Sequence, residues 1–267
     1  MKIGVTHTQP GARLTGSVPL HVQSMMGWGT LNPEPSFGQF EWRTLDERVA
    51  MMAASPGATD LAITLCGCPD WMKGGAQGTT DWSRLEVAPL PEMAEAFAYL
   101  CARVAQRYPQ VKHFLVWNEF KGMWGHGRWD ILRYKALYNL VYRAIKKVRP
   151  DALIGGPYAP LSVQSRPGVT DAHGLTALNR WWSADPVDGG PLAGADFLVV
   201  DGWGSPEWFA NTTADLARHY PCLPIWWAEL HVTHGNWGIA LDALTANGAA
   251  AAILWEPEGL HELGLAP

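Results

Sequence analysis

The chain has 267 residues, of which 48% are hydrophobic and 17% charged, and a formal net charge of −5. That composition supplies a sizeable core and excludes a disordered chain. The acidic balance leaves no electrostatic footprint for nucleic acid, and no apolar run approaches the ~20 residues needed to span a bilayer.

In chain order, Ile3 to Thr8 and Leu20 to Met26 read as strands. A loop rich in Gly, Pro and Asn follows, then an amphipathic helix near Leu45 to Ala54. The third strand is Leu61 to Cys66, ended by Pro69. Pro91 opens a long helix that runs to about Tyr108, where Pro109 stops it. His113 to Trp117 is the fourth strand, and Ile131 to Val148 a helix ended by Pro150. Four more apolar runs complete the pattern: Ala152 to Gly155, Phe197 to Asp201, Ile225 to Ala228 and Ala251 to Trp255. Eight such runs, several separated by helical patterns, predict the α/β class and a parallel (β/α)8 TIM barrel. Spread over eight units the chain allows about 33 residues each, the size of one crossover. One catalytic barrel over 1–267 is therefore expected, with nothing left for a second domain. Only Pro257 to Pro267 follow the last strand, so a full final helix is not expected.

The 15 Trp outnumber Tyr (7) and Phe (7), enough for both a core and a cleft that stacks on a polyhydroxylated ligand. Cys66, Cys68, Cys101 and Cys222 show no zinc-like spacing and read as small buried hydrophobes or free thiols, which suits a reducing compartment. The first residues carry no apolar segment of a secretory signal, which leaves a cytoplasmic protein or one exported after processing.

In a parallel barrel the working residues sit where strands end, at the C-terminal face. The fourth strand ends Val116-Trp117-Asn118-Glu119-Phe120, the seventh Trp226-Trp227-Ala228-Glu229-Leu230, and the eighth Leu254-Trp255-Glu256-Pro257. Glu119 and Glu229 thus leave strands three places apart and can face one another across the mouth. Two opposed carboxylates suit glycosidic cleavage, one donating a proton to the leaving oxygen and the other attacking or activating water. Desolvation by Trp117 and Phe120 is expected to raise the Glu119 pKa, with Glu229 left ordinary or lowered. His7, at the end of the first strand, is a candidate donor to a sugar hydroxyl, and Trp203 and Trp255 are candidate stacking platforms. Trp117, Trp226 and Trp227 lie inside strands, where packing competes with any ligand role.

Asn118-Glu119 after strand four, with Glu229 after strand seven, resembles the clan A glycoside hydrolases. Ile154-Gly155-Gly156-Pro157 and Ala195-Asp196-Phe197 look most like family 39. So do the stretch from Gly38 through Trp42 to Leu45-Asp46, and Pro69-Asp70-Trp71-Met72. The resemblance implies Glu119 as acid/base, Glu229 as nucleophile, Asn118 holding the hydroxyl beside the reacting carbon, and Trp255 flooring the sugar. It implies a retaining glycosidase acting on an oligo- or polysaccharide, without cofactor or metal, and with neither nucleic acid nor membrane as partner. The chain departs from the family where Asp201-Gly202-Trp203 replaces a His and a Tyr, and where Gln23-Ser24-Met25 replaces an Arg. Phe120-Lys121-Gly122 likewise stands where a Pro is usual. Two alternatives remain: a non-catalytic carbohydrate-binding barrel, and a metal-dependent hydrolase using Glu229, His231 and His234.

Overall fold

The computed structural model describes residues 1–9, 14–125, 128–162, 174–233, 235–255 and 257–266. Eight parallel strands follow one another around a closed barrel: β1 (Lys2–Val5), β2 (Leu20–Ser24), β3 (Asp60–Leu65), β4 (His113–Val116), β5 (Leu153–Ser162), β6 (Phe197–Gly204), β7 (Ile225–Val232) and β8 (Ala249–Leu254). The ring shuts where β8 pairs with β1, Lys2 opposite Ala251 and Val5 opposite Leu254. Outside lie α1 (Arg43–Ala54), α2 (Ala94–Arg107), α3 (Ile131–Val148), α4 (Gly174–Trp182), α5 (Pro206–His219), α6 (Trp237–Ala246) and α7 (Pro257–Glu262). This is the predicted (β/α)8 architecture.

The local reasons are visible in the sequence. Asp130 caps α3 by accepting from the Arg133 N–H at 3.0 Å. Its Ile131, Tyr134, Tyr138, Val141 and Ile145 recur at helical spacing and are buried. Ser205 caps α5, with Pro206 in the first turn where its missing N–H costs nothing. Inside the barrel, Leu20, Val22, Phe197, Val199, Trp226, Ala228, Ala251 and Ile253 fall at alternate strand positions and pack on each other. The intervening residues face the helices and build the outer core. Gly155 leaves room for the Phe197 ring; a Cβ there would meet it at 2.2 Å.

Packing claims the tryptophans within or beside strands. Trp226 lies inside the barrel against Phe197 (4.5 Å) and His113 (4.8 Å). Trp227 faces outward onto Phe209 (4.9 Å) and donates to the Thr213 hydroxyl at 3.1 Å. Trp117 also faces outward, edge-on to Phe97 of α2 at 5.4 Å.

Two connections are irregular. The described residues between β1 and β2 hold no helix, a departure from eight equal units in a stretch containing Gly16 and Pro19. After β8, α7 has only 6 residues. The chain beyond it packs Leu263 and Leu265 on the core, and the Leu265 carbonyl accepts from the Thr15 N–H at 3.0 Å.

Candidate active site

Strand register decides which side chains reach the mouth. In β6 the inward residues are Phe197 and Val199, so Asp201 points inward as well, and it is buried. In β7 the inward residues Trp226 and Ala228 would leave Glu229 facing out. The β6–β7 pairing slips, however: Val200 pairs with Trp227 and Gly202 with Leu230. The extra β7 residue is a bulge that turns Glu229 to the mouth.

At the end of β4 the chain makes a left-handed turn, with φ of 64° at Trp117, 50° at Glu119 and 58° at Phe120. Such residues cost of order 1–3 kcal/mol each and persist only where the surroundings hold them. Here the Trp117 indole donates to the Lys121 carbonyl at 2.6 Å, and the Lys121 N–H to the Asn118 carbonyl at 3.0 Å. His7 (φ 56°) and Trp28 (φ 47°) share this conformation and stack on each other at 4.2 Å. Asn236 apart, every described non-glycine residue with positive φ belongs to this rim.

Glu119, Asp201 and Glu229 each bring an oxygen within 4.8 Å of the others. Glu229 Oε1 accepts from the Tyr158 hydroxyl at 2.8 Å and lies 3.1 Å from His7 Nε2. Glu119 Oε2 pairs with Lys121 Nζ at 2.6 Å. Lys121 also reaches Glu86 Oε1 at 3.2 Å, and the same oxygen accepts from Asn118 Nδ2 at 3.0 Å. The buried Asp201 carboxyl lies between these groups, an oxygen within 4.8 Å of Glu119, where a proton on one carboxyl can be shared with the other.

Carboxylates this close do not all ionise. Burial, then the hydrogen bond and charge of Glu119 and the charge of Glu229, push the Asp201 carboxyl well above its ordinary range. Burial pushes Glu119 up too, but the Asp201 hydrogen bond and the Lys121 ammonium outweigh it and hold Glu119 below its ordinary value. This corrects the expectation of a raised Glu119. Trp117 packs on α2 and Phe120 on Tyr134 (4.7 Å), while a third carboxyl and a cation set the balance.

The fold thus brings Glu119 and Glu229 together. Asn118 is buried beside them, and among the described residues nothing donates to its Oδ1. His7 turns its Nε2 to Glu229 rather than to the open rim. Trp203 is 60% exposed, edge-on to His231 at 5.0 Å, and Trp255 is 42% exposed just beyond β8. Glu256 and His234 lie outside the described residues. Among the described residues the carboxylate trio is the one group placed to hold a cation, and Lys121, Tyr158 and His7 already engage its oxygens.

Sequence reasoning did not assign Asp201, Lys121, Tyr158, Glu86 or Arg48 to the site. Asp201 and Lys121 stood out only as departures from the family pattern. The hydroxyl on Glu229 comes from β5, not from the end of β6. A buried arginine also reaches this rim, from α1: Arg48 donates to the carbonyls of Thr8 and Trp28, the latter at 2.8 Å. Of the motif residues, Asp46 ties α1 to the end of α2 through Arg107 (2.6 Å), while Asp70 and Trp71 brace loops through Lys73 (3.3 Å) and the Glu34 carbonyl (2.9 Å).

No protein-family model and no curated protein matches the chain. Solved structures do. A β-glucosidase from Thermotoga maritima in complex with noeuromycin superposes with a TM-score of 0.60 at 15% identity, over 90% of this chain and 74% of that one. A glucosidase from Croceicoccus marinus gives 0.59 at 13% identity, over 97% and 63%. SrfJ from Salmonella typhimurium gives 0.58 at 11% identity, over 100% and 68%. The likeness is one of fold.

Proposed function

We propose that the chain is a clan A-type glycoside hydrolase that cleaves a glycosidic bond of an oligo- or polysaccharide with retention of configuration. The observation that carries this reading is the approach of Glu119 and Glu229 oxygens to within 4.8 Å across the barrel mouth. Carboxyl groups ≈ 5–5.5 Å apart suit direct attack, whereas inversion needs roughly 6.5–9.5 Å to admit a water. In this reading Glu229 attacks the anomeric carbon, aimed by Tyr158 and His7. Glu119 serves the leaving oxygen as acid and then the incoming water as base. The open Oδ1 of Asn118 takes the hydroxyl beside the reacting carbon, and Trp255 and Trp203 offer exposed faces on which sugar rings stack. Two of the structural neighbours are a glucosidase and a β-glucosidase, which makes aryl β-glucosides the first substrates to try.

Proton NMR of the first-formed sugar, before mutarotation, is expected to show the substrate's own anomer, and Glu229→Ala is expected to abolish turnover for every leaving group. Product of inverted configuration overturns the retaining scheme. Binding of oligosaccharides without turnover of any glycoside points to a carbohydrate-binding barrel instead.

A further inference from the structure

Asp201 has no counterpart in the two-carboxylate scheme, yet it is more deeply buried than either partner and lies within reach of both. Three carboxyl groups lie within 4.8 Å of each other. The charged or titratable groups facing them are Lys121 on Glu119, the His7 imidazole on Glu229, and Glu86, which shares Lys121. Tyr158 adds a neutral donor to Glu229. One lysine shared between Glu119 and Glu86 does not neutralise three carboxylates, so a proton must remain in the group.

We propose that Asp201 is the resting place of the acid's proton: it holds that proton against Glu119 and hands it over as the leaving oxygen departs. Asp201 is then a positioning residue that acts through Glu119. The inference rests on the glycosidase reading and deepens it.

The step balances. The bond from anomeric carbon to leaving oxygen breaks, its electron pair staying on that oxygen, which takes the proton from Glu119. That proton is the one Glu119 receives from Asp201 in the same step, and Glu229 forms a bond to the anomeric carbon. The Glu119–Asp201 pair gains one negative charge as Glu229 loses one by becoming an ester. Water then attacks the anomeric carbon, the ester bond breaks, and the water proton returns through Glu119 to Asp201. The trio carries two negative charges at rest and in the intermediate, so the buried site is never asked to hold three. The displacement of Asp201 upward and of Glu119 downward agrees with a proton resting on the aspartate.

The test needs no variant at first. Carbon NMR of protein labelled at aspartate carboxyl carbons is expected to show one aspartic acid still protonated at neutral pH. Asp46, Asp60, Asp81, Asp151 and Asp188 are all displaced downward and do not compete for that signal. In Asp201→Asn the signal is expected to vanish and the basic limb of the pH–rate profile to move to lower pH. Turnover of alkyl glycosides, whose leaving groups need a proton, is expected to fall about a hundredfold or more, while dinitrophenyl glycosides are nearly unaffected. No protonated aspartate at neutral pH, or an unmoved basic limb in Asp201→Asn, overturns the proposal. Wild-type protein inert toward all glycosides sinks the glycosidase reading instead, and the NMR titration separates the two failures.

Discussion

Gly122→Ala is expected to act on the site through a backbone wedge. Gly122 has φ 71°, and a Cβ there would meet the Glu86 carbonyl oxygen at 2.4 Å, the Ala88 nitrogen at 2.6 Å and the Val87 Cα at 2.9 Å. All three are main-chain atoms, so no side chain can swing aside. The left-handed conformation alone costs roughly 1–2 kcal/mol for a residue with a Cβ. Overpacking adds about 1–3 kcal/mol. Together these make about 2–5 kcal/mol, a large fraction of the 5–15 kcal/mol that holds an ordinary domain together. Gly38→Ala isolates the second contribution, because Gly38 has nearly the same φ (73°) with no atom within 4 Å of the added Cβ. Any gain from a stiffer unfolded chain is common to both variants and cancels in the difference. Urea midpoints with unchanged slopes are therefore expected to place Gly122→Ala about 1–3 kcal/mol below Gly38→Ala. The wedge also displaces the segment that carries Glu86, which holds Lys121 and Asn118, so activity is expected to fall in Gly122→Ala and persist in Gly38→Ala. Equal stabilities, within about 0.5 kcal/mol, would refute the wedge.

Three further outcomes follow from the same geometry. Glu119→Ala is expected to keep its first step on dinitrophenyl glycosides, accumulate the glycosyl enzyme, and be rescued by azide as a glycosyl azide of retained configuration; azide without effect would count against Glu119 as the acid/base. Asp201 binds its proton more tightly folded than unfolded, so the stability it supports is complete below about pH 4, its unfolded value, and drains away as pH rises toward the folded one. Asp201→Asn removes that loss, so wild type is expected to weaken relative to the variant by up to about 1.4 kcal/mol per pH unit above pH 4; parallel denaturation curves across pH would sink the idea. Arg48→Met is expected to cost about 1–3 kcal/mol by urea unfolding, since it strands the Trp28 carbonyl while that of Thr8 keeps the Gln23 amide at 2.7 Å, and a loss under about 0.5 kcal/mol would show that the Trp28 loop does not depend on it.

The barrel was legible because most strands hold a short apolar run closed by polar or turn residues, and α3 because its buried residues repeat cleanly. β5, however, runs on through Pro157 and Pro160 to Ser162, well past the expected end at Gly155. The later helices gave weaker signals for physical reasons. In α6 the run Ile239-Ala240-Leu241 and then Ala243-Leu244 leaves little polar face, so there is no amphipathic period to read. In α5 the core-facing positions include Thr212 and Thr213, polar by type, and the Thr213 hydroxyl accepts from the Trp227 indole and donates to the Phe209 carbonyl. A pattern of apolar residues passes over both.

The site divides along the same line. Glu119 and Glu229 were legible because strand ends are fixed points: whatever the register within the strand, the next residues emerge at the mouth. Which of them look inward is another matter, because a shift of one residue reverses every side chain. Glu229 faces the mouth only through a bulge, and Glu119 only through a run of left-handed residues. Neither device has a residue-type signature here, since no glycine occupies positions 117, 119 or 120. Asp201 needed the opposite information, an undisturbed alternation from Phe197 and Val199 that carries it inward to within 4.8 Å of Glu119. The sequence offered it only as a misfit against a family pattern. The geometry turns that misfit into chemistry: where the family pattern has neutral or basic groups, this chain has a third carboxyl, and a lysine three residues after Asn118 keeps its neighbour charged. A site so arranged stores its proton one residue further from the substrate than a two-carboxylate site does, and its pH dependence then belongs to the Glu119–Asp201 pair rather than to Glu119 alone.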